Sequence, residues 1–239
     1  MTISLLFWGF MLLSSILLFP VALIIRISTG PFDRNLRILH QFTCFWGSLY
    51  TWCNPFWSVR ITGKELIDRA STYVMVCNHQ SLADILLLFR LHVHYKWVSK
   101  AENFRIPFIG WNMRLNRYIR IERGKLRGNL QMMRDAEKAL REGNSIMIFP
   151  EGTRSIDGNV GQFKDGAFEL AKRTATPILP LVVDGTSRAL PKRGFVLRGS
   201  SAMTIRVLPP VSAEEVARNE VAAIRESVRK QIMEKKGPA

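Results

Sequence analysis

The run Ile3–Ile25, ISLLFWGFMLLSSILLFPVALII, carries no charged side chain over 23 residues. Such a stretch cannot leave its backbone amides and carbonyls unpaired away from water, which restricts it to helix. At 1.5 Å per residue it reaches about 34 Å, enough to cross a hydrocarbon layer of roughly 30 Å. A cleaved signal peptide fits poorly, because no Lys or Arg precedes the run and no small-x-small site follows it. Arg26, Arg34 and Arg37 lie just beyond, which places the following chain on the cytoplasmic side. A second stretch, Leu36 to Trp57, holds Phe42, Phe45, Trp46, Tyr50, Trp52, Phe56 and Trp57, an aromatic density suited to the headgroup boundary. Pro20 and Pro55 are placed to bend or end these helices. Residues 1–57 therefore read as a membrane-embedded two-helix segment, crossing the bilayer or dipping into one leaflet; the competing reading is a pair of buried core helices.

From Ser58 onward, strand and helix patterns alternate, which predicts an α/β domain over residues 58–239. Strands are expected at Val59–Thr62, Tyr73–Cys77, Tyr95–Ser99, Tyr118–Ile121, Ser145–Phe149, Ile178–Val183 and Thr204–Leu208. Helices are expected at Leu82–Phe89, from Pro107, at Lys125–Glu142 and at Asp165–Arg173. In the Lys125–Glu142 helix the apolar face runs through Leu126, Leu130, Met133 and Leu140. A last helix starts at Ser212, with Glu215 at the capping-box spacing, and turns Val221, Ile224, Val228 and Ile232 inward.

Lys and Arg total 34 against 19 Asp and Glu, a formal charge of +15, so an anionic partner is expected. Between Arg90 and Arg127 there are ten basic residues and two acids, which suits lipid headgroups or the phosphates of a bound donor. Aromatics cluster in the membrane segments and not among the arginines of the domain, which speaks against nucleic acid. Three cysteines without a CxxC pair predict neither a disulfide framework nor a cysteine zinc site. His92 and His94 have no third ligand nearby in the chain, so no metal is expected. No GxSxG elbow is present, and Ala167 replaces the lysine that a P-loop needs after Gly161 and Gly166.

Two strand-to-loop junctions carry the chemistry. In YVMVCNHQSLADILLLF the strand ends at Asn78-His79-Gln80-Ser81, and Asp84 follows in the first turn of a helix. One account makes Ser81 and Asp84 a helix cap and His79 a turn residue. The other has Asp84 reach back to one imidazole nitrogen, leaving the second free to accept a proton from a hydroxyl. In IMIFPEGTRS a strand opens into a loop where Gly152 permits close backbone approach, Arg154 offers a phosphate-binding fork, and Thr153 and Ser155 add hydroxyls.

The order Asn78-His79-xxxx-Asp84, then Phe149-Pro150-Glu151-Gly152-Thr153-Arg154, resembles the glycerolipid acyltransferase family, and within it the 1-acylglycerol-3-phosphate acyltransferases. YIRIERG (118–124), TPILPLVV (176–183) and the lysine-bearing KWVSKAE are similar to further blocks, in the family's order. Glu122 stands where Asp is more usual, and Arg127 lies one residue further from Arg123 than the pattern has it. The resemblance implies a central mixed, largely parallel sheet flanked by helices. It implies direct acyl transfer from acyl-CoA or acyl-carrier protein to the 2-hydroxyl of lysophosphatidate, with a co-substrate and no cofactor. His79 would be the base and Asp84 its orienting acid. Arg154, Arg123 and Lys100 would hold the acceptor phosphate, Gly152 and Thr153 would shape the loop, and Glu151 would fix an arginine or contact the acceptor. The implied setting is a membrane, the bacterial inner membrane, with the site facing the cytoplasm. Two rival readings are transfer to another lysophospholipid or lyso-aminolipid, and a non-catalytic, membrane-anchored lipid-binding protein.

Overall fold

A computed structural model describes residues 2–192 and 195–237. The apolar run forms α1 (Thr2–Thr29), which continues through Pro20 without breaking. Next come α2 (Arg37–Trp52), β1 (Trp57–Thr62), β2 (Val74–Cys77), α3 (Ala83–Phe89), β3 (Tyr95–Lys100), α4 (Ile109–Leu115) and β4 (Ile119–Ile121). The chain goes on through α5 (Leu126–Arg141), β5 (Ser145–Ile148), α6 (Gly166–Thr174), β6 (Ile178–Asp184), α7 (Thr186–Ala189) and β7 (Ser201–Val207), and ends in α8 (Ala213–Arg218) and α9 (Val221–Lys235).

The strands form one sheet in the order β1-β7-β6-β2-β5-β3-β4. β2 to β6 run parallel, β7 is antiparallel to β6, and β1 is parallel to β7. The mixed, largely parallel sheet implied by the resemblance is thus present. Side chains alternate across it and feed two cores. Met75, Cys77, Met147 and Leu181 pack with α2 and α3 on one face, where Phe7 and Ala22 of α1 also join. Val74, Val76, Ile146 and Val182 pack with α5, α6, α8 and α9 on the other.

The amino-terminal helices differ from expectation in how they meet the domain. α2 buries Leu39, His40, Cys44, Trp46 and Tyr50 against it. Gly47 sits so close to Phe89 that an added Cβ would lie 2.3 Å from the ring, so only glycine allows this approach. Its aromatics therefore divide: Trp46 and Tyr50 are core, whereas Phe45 and Trp52 are exposed. α1 has a mean hydropathy of 2.4 over its most apolar window, yet only 17% of that window is buried. Its buried stripe includes Ser14 and Ser15, and the Ser14 hydroxyl meets the Tyr50 hydroxyl at 3.0 Å. Both ends are tied to the domain. The Leu197 amide donates to Ser4 Oγ (3.0 Å) at one edge of the sheet, and past the far end Asn35 donates to the Glu142 carbonyl (2.9 Å) at the other.

Three sequence expectations need correction. Leu126 and Leu130 are exposed; the inward face of α5 is Met132, Met133, Ala136 and Leu140. The C-terminal helix is two helices broken at Asn219–Glu220, although its cap is as expected, with Ser212 Oγ accepting from the Glu215 amide (3.2 Å). The Ser81–Asp84 spacing does not make a reciprocal capping box: Ser81 Oγ accepts from Ala83 N–H (3.0 Å), not from Asp84.

His94 lies at the amino end of β3, where its Nε2 faces Asn144 Oδ1 at 2.8 Å and its Nδ1 is buried without a partner. Protonating Nδ1 would bury an unpaired donor, and burial lowers the His94 pKa to about 4. The unfolded chain therefore takes up this proton first. Stability from His94 is present above about pH 6.5 and is lost as pH falls through 4, by about 3 kcal/mol at most. In acid denaturation curves, His94→Gln should flatten that limb between pH 6.5 and 4; an unchanged slope would reject the assignment.

Candidate active site

β2 and β5 are neighbours and run the same way, with Val76 opposite Ile148. Their carboxyl ends therefore release the two motif loops side by side, at the edge of the sheet where open α/β folds bind ligands. The first loop is held by side chains acting as backbone. Asn78 Nδ2 donates to the Val183 carbonyl and its Oδ1 accepts from the Val183 amide, both at 2.9 Å, extending the β2–β6 ladder by one residue. Gln80 Nε2 donates to the same carbonyl (2.9 Å), and Ser81 Oγ donates to the Leu190 carbonyl (2.6 Å).

On this fixed turn, His79 Nδ1 lies 2.8 Å from Asp84 Oδ2. The carboxylate is fully buried, while the imidazole keeps 13% of its surface in contact with solvent. The same oxygen accepts from the Gln80 amide (2.7 Å) and the Ser81 amide (2.9 Å). Three donors converging on one oxygen assign the proton to His79 Nδ1 and leave Nε2 with a lone pair. The ring is stacked on Phe149 at 3.9 Å and 9°, and Phe149 leans on Trp97 at 5.4 Å. Position, tautomer and tilt of the imidazole are thus all fixed before any ligand arrives.

The second loop is fastened to the first. Glu151 is buried; its Oε1 accepts from the His79 amide (2.8 Å) and its Oε2 from the Gly161 amide (3.0 Å). Burial raises the Glu151 carboxyl above its usual range, against the two amides that pull it down. The Ser155 amide then donates to the His79 carbonyl (2.7 Å), which sets the Arg154 backbone next to the histidine loop. Gly152 has φ +69°, and a Cβ there would approach the Lys164 side chain at 3.1 Å. Thr153 is exposed and Arg154 half-buried; the Arg154 carbonyl accepts from Lys192 Nζ.

Lys100 and Arg123 reach the same edge but not the same point. Lys100 ends β3 and Arg123 lies just past β4, the second and third strands from β2, so their backbones start roughly 10 and 14 Å to the side. Both are exposed, and Glu102 is close enough to Arg123 to act on its charge. The structure gathers His79, Asp84, Glu151 and Arg154 at one place and leaves Lys100 and Arg123 as an outer group. Among the described residues, no three His, Cys, Asp or Glu side chains converge as metal ligands.

Phe149, Lys164 and Lys192 were given no role from the sequence. A helical or strand period does not report stacking between two loops, and neither lysine stands at a spacing that points to the histidine.

A family model described as Acyltransferase matches residues 58–184. A 1-acyl-sn-glycerol-3-phosphate acyltransferase from Chlamydomonas reinhardtii is 35% identical over 208 residues, covering 85% of this chain and 61% of the relative. One of the same name from Limnanthes douglasii is 30% identical, covering 82% and 72%. The chain thus spans about three fifths of the length of the first of these relatives. Among solved structures, the 1-acyl-sn-glycerophosphate (LPA) acyltransferase PlsC from Thermotoga maritima superposes with a TM-score of 0.81, covering 98% of this chain and 92% of that one. At 22% identity this likeness speaks for the fold. The family match runs from β1 to the end of β6 and covers both motif loops, and on it the chain belongs to the acyltransferase family.

Proposed function

We propose that the chain is a 1-acyl-sn-glycerol-3-phosphate acyltransferase, moving a fatty acyl group from a thioester donor to the 2-hydroxyl of lysophosphatidate. The observation that carries this reading is the His79–Asp84 pair at 2.8 Å with the Arg154 loop hydrogen-bonded to the histidine's own backbone. His79 Nε2 takes the hydroxyl proton as the oxygen attacks the thioester carbonyl, and Asp84 stabilises the imidazolium. The new C–O bond forms, the C–S bond breaks, and the departing thiolate takes the proton back from His79. No cofactor takes part, since the donor is a co-substrate. The names of the relatives support the acceptor.

The exposed apolar side of α1 supports attachment to one leaflet of a membrane, and the excess of Lys and Arg supports an anionic one; the cytoplasmic face belongs to the same proposal. A helix tied to the domain at both ends cannot cross a bilayer without drawing the domain in with it. Attachment to the bacterial inner membrane is part of the same proposal.

The test is purified protein in phospholipid vesicles with a labelled acyl donor and a panel of lysolipids, products being separated by mass. Phosphatidate as the main product supports the reading; acylation of a different lysolipid alone, or of none, overturns it. Within that assay Arg154→Ala should raise the acceptor KM about tenfold or more, as expected for loss of a charge-assisted contact. An unchanged KM would take the phosphate away from Arg154.

A further inference from the structure

The first turns of α5 present a feature that the transfer reaction does not use. Leu126 is 77% exposed and Leu130 50% exposed. At 100° per residue, Leu126, Leu130 and Arg134 follow one another along one side of the helix, with Arg127 beside them. Gly124, at φ +79°, turns the chain out of β4, and Gly128 lies against the Glu122 carbonyl, where a Cβ would sit 2.6 Å from the oxygen. The helix therefore starts hard against the strand end, with both leucines turned outward. Apolar side chains left in water beside a rim of charge mark a surface that something covers.

Location narrows the occupant. β4 runs parallel to β2 through the sheet, so α5 begins at the same edge as His79. Met132, Met133 and Ala136 of α5 pack in one core, while Phe7 and Ala22 of α1 pack in the other. The ridge thus lies on the sheet face away from α1, which favours a soluble partner over a lipid surface. Its charge is basic. Glu122 is engaged by Lys125 (3.2 Å) and Arg120 (4.0 Å), whereas Arg127 and Arg134 have no carboxylate within 4.0 Å among the described residues.

We infer that Leu126, Leu130, Arg127 and Arg134 form the docking ridge for an acidic acyl-carrier protein that delivers its thioester to the His79 site. This rests on the acyl transfer proposed above and selects between its two donors. Acyl-CoA brings no apolar helix face to cover the leucines.

The test uses the full chain in vesicles, with acyl-carrier protein and acyl-CoA bearing the same acyl group, and titration of the carrier protein by calorimetry. For Leu126→Ser/Leu130→Ser, and separately for Arg134→Glu, kcat/KM with the carrier protein should fall ~30-fold while acyl-CoA stays within about 2-fold. Carrier-protein binding should weaken in parallel. Equal losses with both donors, no loss with the carrier protein, or loss of vesicle binding with donor preference unchanged would each overturn the inference. Should the unaltered chain transfer from neither donor, the reaction proposed above fails. Docking is then decided by the titration alone: tight binding that both variants abolish keeps it, and any other result ends it.

Discussion

Replacing His79 by alanine is expected to lower turnover by about 10²- to 10⁴-fold, the usual contribution of a placed general base. The loss should be chemical, not structural. Asp84 keeps the Gln80 and Ser81 amides as donors, and the turn is still held by Asn78 on Val183 and by Glu151 on the residue-79 amide. What disappears is the imidazole, its bond to Asp84 and its stacking on Phe149. The melting temperature should move by only a few degrees, since one net hydrogen bond is worth about 1 kcal/mol and a chain of this size shifts about 2–4 °C per kcal/mol. Turnover with labelled donor and lysophosphatidate, measured beside thermal unfolding, separates the two effects. Near-normal turnover would remove His79 from the reaction; collapse of the fold would make it a structural residue.

The parts of this site that were legible in the sequence are those encoded within a few residues. A five-residue apolar run, a polar turn and an acid in the next helical turn suffice to place Asp84 against His79, because the first turn of α3 points back along the chain. The same locality explains why most strands and helices of the domain fall where the pattern puts them. Expectations failed where a contact that the apolar period does not report overrides the local pattern. Leu126 and Leu130 have the helical spacing of a core face, but the close seat of Gly128 on Glu122 turns them outward. The aromatics of α2 have the composition of a headgroup belt, yet Gly47 lets the helix settle on Phe89, so Trp46 and Tyr50 become core. The helix from Ser212 shows an unbroken apolar period while the chain breaks it at Asn219–Glu220. Within the site, the stacking of His79 on Phe149 joins two loops across the sheet and leaves no trace in spacing.

Glu151 gives the other large expected effect, because its two oxygens are the joint between the motif loops. The sequence suggested an arginine partner or the acceptor, while the structure spends both oxygens on backbone amides, those of His79 and Gly161, with the side chain buried. Gly161 is suited to this role: an added Cβ would lie 2.9 Å from Glu151 Oε2 and push the loop away. Glu151→Gln keeps the shape but turns an NH₂ group toward one of the two amides, so a buried donor loses its acceptor, at about 1–3 kcal/mol. The melting temperature should fall by roughly 3–10 °C. Turnover should fall at least ~10-fold, because His79 and Arg154 no longer hold their mutual position, and misplacement of about 1 Å costs about that much or more. The acceptor KM and the melting temperature together decide what Glu151 does. A raised KM with unchanged melting would make it a substrate contact; a lowered melting temperature with loss of turnover identifies it as the residue that fixes the geometry of the site.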